Sequence, residues 1–164
     1  MNNAFKTACE VETEAMAILI PFIEQKSIRY VLTNKGNVSK ELQKTCGDAL
    51  INSDDGTIWA IEIKAERRNK TGNFYLETWS NRKWYTVGWM FNLNTDILLY
   101  FFLEDMLLYS IKFRDLRHWA FVKGRIYDFQ EKPQTKYSQL NDTWGRCVPI
   151  GVIGDEVGFT QYNL

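Results

Sequence analysis

Histidine and cysteine are scarce: the 164 residues hold one histidine and three cysteines, at positions 9, 46 and 147. The cysteines are odd in number and widely spaced, and no Cys-x-x-Cys pair occurs. Neither a zinc site nor a disulfide framework is therefore expected, and a reducing compartment is the simpler setting. Net charge is missing too, with 20 Lys and Arg against 20 Asp and Glu. A nucleic-acid partner would have to be held by a local basic patch and not by the overall charge. Long hydrophobic runs are also lacking. The longest, Ile97 to Leu103, is far too short to cross a bilayer. The opening MNNAFKTACEVETEA has neither the basic start nor the apolar block of a signal peptide. These absences lead to the expectation of a cytoplasmic protein with no membrane partner.

What the chain does have is core-forming material. It is 45% hydrophobic and 15% aromatic, with six Trp and ten Phe. That composition excludes a disordered chain and suits a single domain over residues 1–164. Ala8, Val11, Ala15, Ile18, Leu19 and Phe22 recur at helical spacing, so a helix is expected from Thr7 to about Gln25. Thr7 and Glu10 read as a capping box, and Pro21 as a kink or an early end. Strands are expected at Ile28–Leu32, Cys46–Asn52, Thr57–Ala65, Asn73–Trp79, Asp96–Leu103 and Met106–Lys112, with a helix at Phe113–Val122. Val38–Thr45 reads as a short helix or loop, Gly88–Asn94 as a turn, and the chain beyond residue 122 as turn-rich. The order of elements predicts an α/β domain built on one mixed sheet.

Two charges stand within the apolar strand TIWAIEIKAE, ahead of its terminal Glu66: Glu62 and Lys64, either side of Ile63. Charges in such a run are costly unless paired or bound to something. A hairpin with Asp54, Asp55 and Gly56 as its loop pairs Ser53 with Thr57. It then sets Asp48 opposite Glu62 and Cys46 opposite Lys64. Asp48, Glu62 and Lys64 converge on one face, while Trp59, Ile61 and Ile63 take the other. Carboxylates on adjacent strands make an oxygen-rich site for Mg²⁺ or Mn²⁺, to which the Ile63 carbonyl could add a ligand. Lys64 would orient the attacking water or stabilise charge on a phosphoryl group. The plainer alternative is a solvated strand face with a cross-strand ion pair, since any half-exposed strand alternates in this way. Glu12 sits on the apolar stripe of the first helix, either snorkelling at its edge or aimed into the site. Arg67, Arg68, Lys70, Arg82 and Lys83 are candidates for holding nucleic acid, with Trp79, Trp84 and Tyr85 beside them as stacking rings. Asp54, Asp55, Asp96 and His118 are assigned structural or surface roles.

Asp48 followed by Glu62-Ile63-Lys64 resembles the signature of the PD-(D/E)xK nuclease superfamily, whose fold is restriction-endonuclease-like and is shared with Holliday-junction resolvases and phage exonucleases. Gly47 stands where the motif's name has Pro. The downstream order is similar to small phage and prokaryotic members: Gly72-Asn73-Phe74-Tyr75-Leu76-Glu77, then Gly88-Trp89, then Thr95-Asp96 opening an apolar strand. The resemblance covers about Thr7 to Trp119. It implies a central mixed sheet flanked by helices, with Asp48 and Glu62 as metal ligands and Lys64 as the catalytic lysine. It also implies Glu12 as a further ligand from the first helix, and Glu77 as a second ligand or a support for Lys64. The expected activity is Mg²⁺-dependent hydrolysis of DNA; many members of this fold pair up to cut two strands, which makes a homodimer the candidate assembly, though the sequence leaves the oligomeric state open. The alternatives are a non-catalytic protein of the same fold that binds a protein or nucleic acid, and an enzyme that cleaves RNA at the same site.

Overall fold

The computed structural model describes residues 3–27, 29–33, 43, 46–134 and 142–164, those at 3–9 as backbone. The first helix, α1, spans Asn3–Lys26. Thr7 therefore lies inside it and is not its cap. Pro21 also lies inside and does not end it. The buried stripe Val11, Ala15, Leu19 and Ile23 holds the helix against the sheet, and tertiary packing of this kind outweighs the local cost of a proline. The expected turn at residues 35–37 falls outside the described residues, as does most of the segment 38–45.

Among the described residues, ten strands follow in two sheets. The first sheet is mixed and six-stranded. It contains β1 (Arg29–Leu32), β2 (Ala49–Asn52), β3 (Ile58–Glu66), β6 (Ile97–Phe102), β7 (Leu107–Lys112) and β10 (Thr160–Asn163), in that spatial order. The β3–β6 pair is parallel and all others in this sheet are antiparallel. Between β3 and β6 the chain leaves the sheet to form β4 (Asn73–Asn81), β5 (Thr86–Val87) and a short helix α2 (Trp89–Asn92). The expectation of one sheet is thus corrected. The strand NFYLETW opens a second, four-stranded sheet in the order β5-β4-β9-β8, with β8 at Glu131–Pro133 and β9 at Trp144–Pro149. The C-terminal third, read as turns, supplies β8, β9, a helix α4 (Ile150–Glu156) and the edge strand β10. Its strands are short and gain their partners from distant segments, so they leave little local pattern.

Phe113–Val122 is helical as expected, with α3 at Phe113–Arg117 running into a π-helical turn at His118–Val122. The strand β6 is buried on both faces for a definite reason. Leu99 and Phe101 pack with Ile61, Ile63 and the α1 stripe. Leu98, Tyr100 and Phe102 pack with Phe74, Leu76 and Val148 of the second sheet. The first sheet therefore lies between α1 and the second sheet, an α/β arrangement.

Candidate active site

The β2–β3 hairpin has the register expected from its loop. Asn52 pairs with Ile58, Leu50 with Ala60 and Ala49 with Ile61. The turn is set by Asp55, whose Oδ1 accepts the Ser53 hydroxyl at 2.7 Å and the Thr57 N–H at 2.9 Å. Both Asp54 and Asp55 are exposed turn residues. The ladder stops at Ala49, earlier than expected. Gly47 has φ +85° and its N–H donates to the Gln43 carbonyl at 2.9 Å, a helical bond. Cys46 is accordingly helical and does not stand opposite Lys64.

Asp48 sits one residue ahead of β2 and continues the ladder with its side chain. Its N–H donates to the Ile61 carbonyl at 2.7 Å, and its Oδ2 accepts the Ile63 N–H at 2.9 Å. Thr33, buried just after β1, holds this turn: its N–H donates to the Asp48 carbonyl at 2.9 Å and its hydroxyl to the Gly47 carbonyl. The sequence has no signal for Thr33.

Glu62 on β3 is only 5% exposed, so the solvated-face alternative does not hold for it. Its carboxylate makes an ion pair with the Lys64 ammonium. Burial pushes the Glu62 carboxyl up, to about 7; the Lys64 charge opposes that rise, and the Asp48 and Glu77 charges add to it. Burial acts to lower Lys64, but Glu62, Asp48 and Glu77 together outweigh it and hold the ammonium above the ordinary lysine value.

Glu77 comes from the second sheet. Its carboxyl is raised by burial, against the pull of Lys64 and of the Trp89 N–H, which donates to Oε1 at 3.3 Å. The ring of the same Trp89 lies under Lys64, with Nζ 5.6 Å from the ring centroid. Gly88 makes this approach possible, since a Cβ there would stand 2.6 Å from the Glu77 carbonyl oxygen. Two residues along β3 from Lys64, Glu66 accepts the buried Tyr100 hydroxyl, which itself accepts the Tyr75 N–H at 3.1 Å. Tyr100 reads from sequence as core alone, and Trp89 enters only as part of the Gly-Trp order.

A cleft of about 430 Å³ opens over Asp48, Glu62 and Lys64, with Gln43 and Glu12 also in its lining. Glu12 is exposed and Ile63 borders the same cleft. Among the described residues no three His, Cys, Asp or Glu side chains stand close enough to cage a metal. The available donors are the carboxylates of Asp48 and Glu62 and the Ile63 carbonyl, with Glu12 across the cleft. The basic candidates split into two groups. Arg67 pairs with Glu14 at 3.4 Å and Arg68 with Glu104, while Lys70 is exposed on the β3–β4 turn. At the β4–β5 turn Arg82 lies 3.6 Å from Glu131 and stacks on Trp144 at 4.4 Å, and Lys83 lies over Trp84. Asp96 has the structural role assigned to it, accepting the Ala60 N–H at 2.8 Å, and His118 is exposed. Compared with protein-family models, curated proteins and solved structures, the chain matches none.

Proposed function

We propose that this chain is a metal-dependent nuclease that hydrolyses DNA phosphodiester bonds, with a restriction-endonuclease-like fold of the PD-(D/E)xK type. One observation carries the reading: Asp48, Glu62 and Lys64 line a single cleft, with the Glu62 carboxyl buried beside a second carboxylate. Perturbed groups of this kind gather in functional clefts. The oxygen donors Asp48, Glu62 and the Ile63 carbonyl suit Mg²⁺ or Mn²⁺, which bind one or two carboxylates and retain several waters. Glu12, which lines the same cleft, would be the further ligand. Burial and the Asp48 charge raise the proton affinity of Glu62, a cost that a divalent cation held by these residues would offset. When bound, the ion polarises a phosphoryl oxygen and acidifies a water.

The chain's own groups do the remainder. Lys64, cationic and fixed over Trp89, faces the negative charge that grows on the phosphoryl group. Its pairing with Glu62 also keeps it beside the ligands. Glu77 acts on Lys64 through charge and through Trp89. Asp48 is aimed by its bond from the Ile63 N–H. Lys70 and Lys83, with Arg67, Arg68 and Arg82 behind their acidic neighbours, offer phosphate contacts on either side. The test is incubation with plasmid, linear and branched DNA in Mg²⁺ or Mn²⁺. Cleavage that persists in Glu62→Ala or Lys64→Ala sinks the assignment.

The direct Glu62–Lys64 ion pair favours a second reading, in which the site has closed on itself and the protein only binds a partner. Calorimetry separates the two, because a non-catalytic protein takes up no Mn²⁺. RNA cleavage at the same site is the outcome in which RNA is cut and DNA is not.

A further inference from the structure

Two non-glycine residues among those described have positive φ: Met106 at 51° and Tyr85 at 54°. Left-handed backbone is unfavourable for an L side chain. Met106 has a return for it, since its side chain packs into the core beneath α1. Tyr85 has none. It is 84% exposed at the tip of the β4–β5 hairpin, next to Trp84, which is 72% exposed. The turn itself does not need the ring. It is closed by main-chain and asparagine groups, with Tyr85 N–H to the Arg82 carbonyl at 3.1 Å and Trp84 N–H to Asn81 Oδ1 at 3.1 Å. Glycine or asparagine would fill this position with less strain. A fold that holds two large rings in water, one of them on strained backbone, points to a ligand for those rings.

We propose that Trp84 and Tyr85 bind unpaired bases of a DNA substrate. The chemistry of the tip supports that occupant. Lys83 Nζ lies 5.8 Å from the Trp84 ring centroid, and Arg82 adjoins it. Exposed rings interleaved with cations suit a nucleic-acid strand, which presents flat bases and a phosphate backbone together. The tip is also joined to the cleft by one strand. β4 carries Glu77, whose charge acts on Lys64, and reaches Asn81 at the turn. At the rise of an extended strand, Glu77 and Asn81 are at most ~13 Å apart, roughly four base steps along DNA. The hairpin would therefore grip unpaired bases a few nucleotides from the bond being cut. This makes single-stranded or branched DNA the preferred class over fully paired duplex. The inference rests on the nuclease reading for the identity of the ligand.

The test is fluorescence anisotropy in EDTA, so that nothing is cut, with a labelled mixed-sequence single-stranded oligonucleotide and its blunt duplex. The variants are Trp84→Ala and Tyr85→Gly. Tyr85→Gly removes the ring and the strain together, so its thermal midpoint should equal or exceed that of the wild type. Each variant should weaken single-strand binding about ten-fold and leave duplex binding within about two-fold, the ordinary scatter of a surface change. Unchanged single-strand binding in Tyr85→Gly overturns the proposal, and so does an equal loss on both probes. So does a wild type that binds no single strand at all, as a hairpin that docks on protein would. Plasmid cleavage in Mg²⁺ is read separately. A wild type that cuts nothing but binds single strands through Tyr85 refutes the nuclease reading and upholds the hairpin's role. Cleavage with no dependence of binding on Tyr85 does the reverse.

Discussion

The Asp48 carboxylate accepts the backbone N–H of Ile63 at 2.9 Å. A side chain thereby takes the place of a strand partner, and the candidate ligand is held by the same strand that carries Glu62 and Lys64. The bond separates two roles of Asp48. Asp48→Asn keeps an acceptor for Ile63 but loses the charge, so it should fold normally while Mn²⁺ binding by calorimetry disappears. Asp48→Ala loses both and should also be destabilised by about 1–2 kcal/mol in urea unfolding, the cost of a lost acceptor. Equal stability of the two variants would remove the structural role.

Lys64→Met retains the length and much of the packing of the side chain but removes the ammonium. Cleavage of DNA in Mg²⁺ should fall at least ~100-fold, as expected for loss of a group that faces transition-state charge. EDTA should abolish wild-type cleavage, and excess Mn²⁺ should restore it. Trp89→Leu leaves Lys64 in place without the ring beneath it and should give a smaller loss, about five- to ten-fold. Single-turnover assays rank the two variants.

Stability of the metal-free protein should fall as pH rises from about 4.5 to 7. An unfolded Glu62 loses its proton near its ordinary value of 4.5, whereas the folded one retains it up to about 7. The folded state thus binds more protons in this window, and the stabilisation present below it is lost as pH climbs through it. Glu66 and Glu77, both raised by burial, act in the same direction. The Glu156 carboxyl is held down to about 2 by Arg125 and the Trp119 N–H, so its effect lies below the window. Over the full range Glu62 accounts for at most ~3.5 kcal/mol. Urea midpoints in EDTA at several pH values measure this, and Glu62→Gln should flatten the slope.

Gly47→Ala should be destabilising and should disturb the site. Its φ is +85°, and an added Cβ would meet the Ile61 carbonyl oxygen at 2.6 Å and the Glu62 carboxylate at 3.0 Å. A loss of at least ~2 kcal/mol is expected from strain and displacement together. Chemical denaturation reads the loss, and Mn²⁺ affinity reads the shift of Glu62. A proline cannot adopt this φ, so the glycine is required by this turn.

How much could be read beforehand depended on distance along the chain. The β2–β3 register was legible because Asp54, Asp55 and Gly56 define the turn and alternation does the rest. The buried strand β6, the helical segment after β7 and the turn roles of Asp54 and Asp55 were legible for the same local reason. The C-terminal strands were not, nor the departure of β4 into a second sheet. Their pairing with segments far away in sequence leaves no periodic mark.

The sequence by itself determined that an Asp, a Glu and a Lys would meet at one end of a hairpin. Alternation and turn chemistry act between near neighbours and need nothing else. Only the tertiary structure decided what kind of place that is. Glu77 of the second sheet and Trp89 of α2 come to Lys64, while Thr33 secures the Asp48 turn. Burial and charge coupling depend on segments that come together only on folding, and they alter the proton affinities of Glu62 and Lys64.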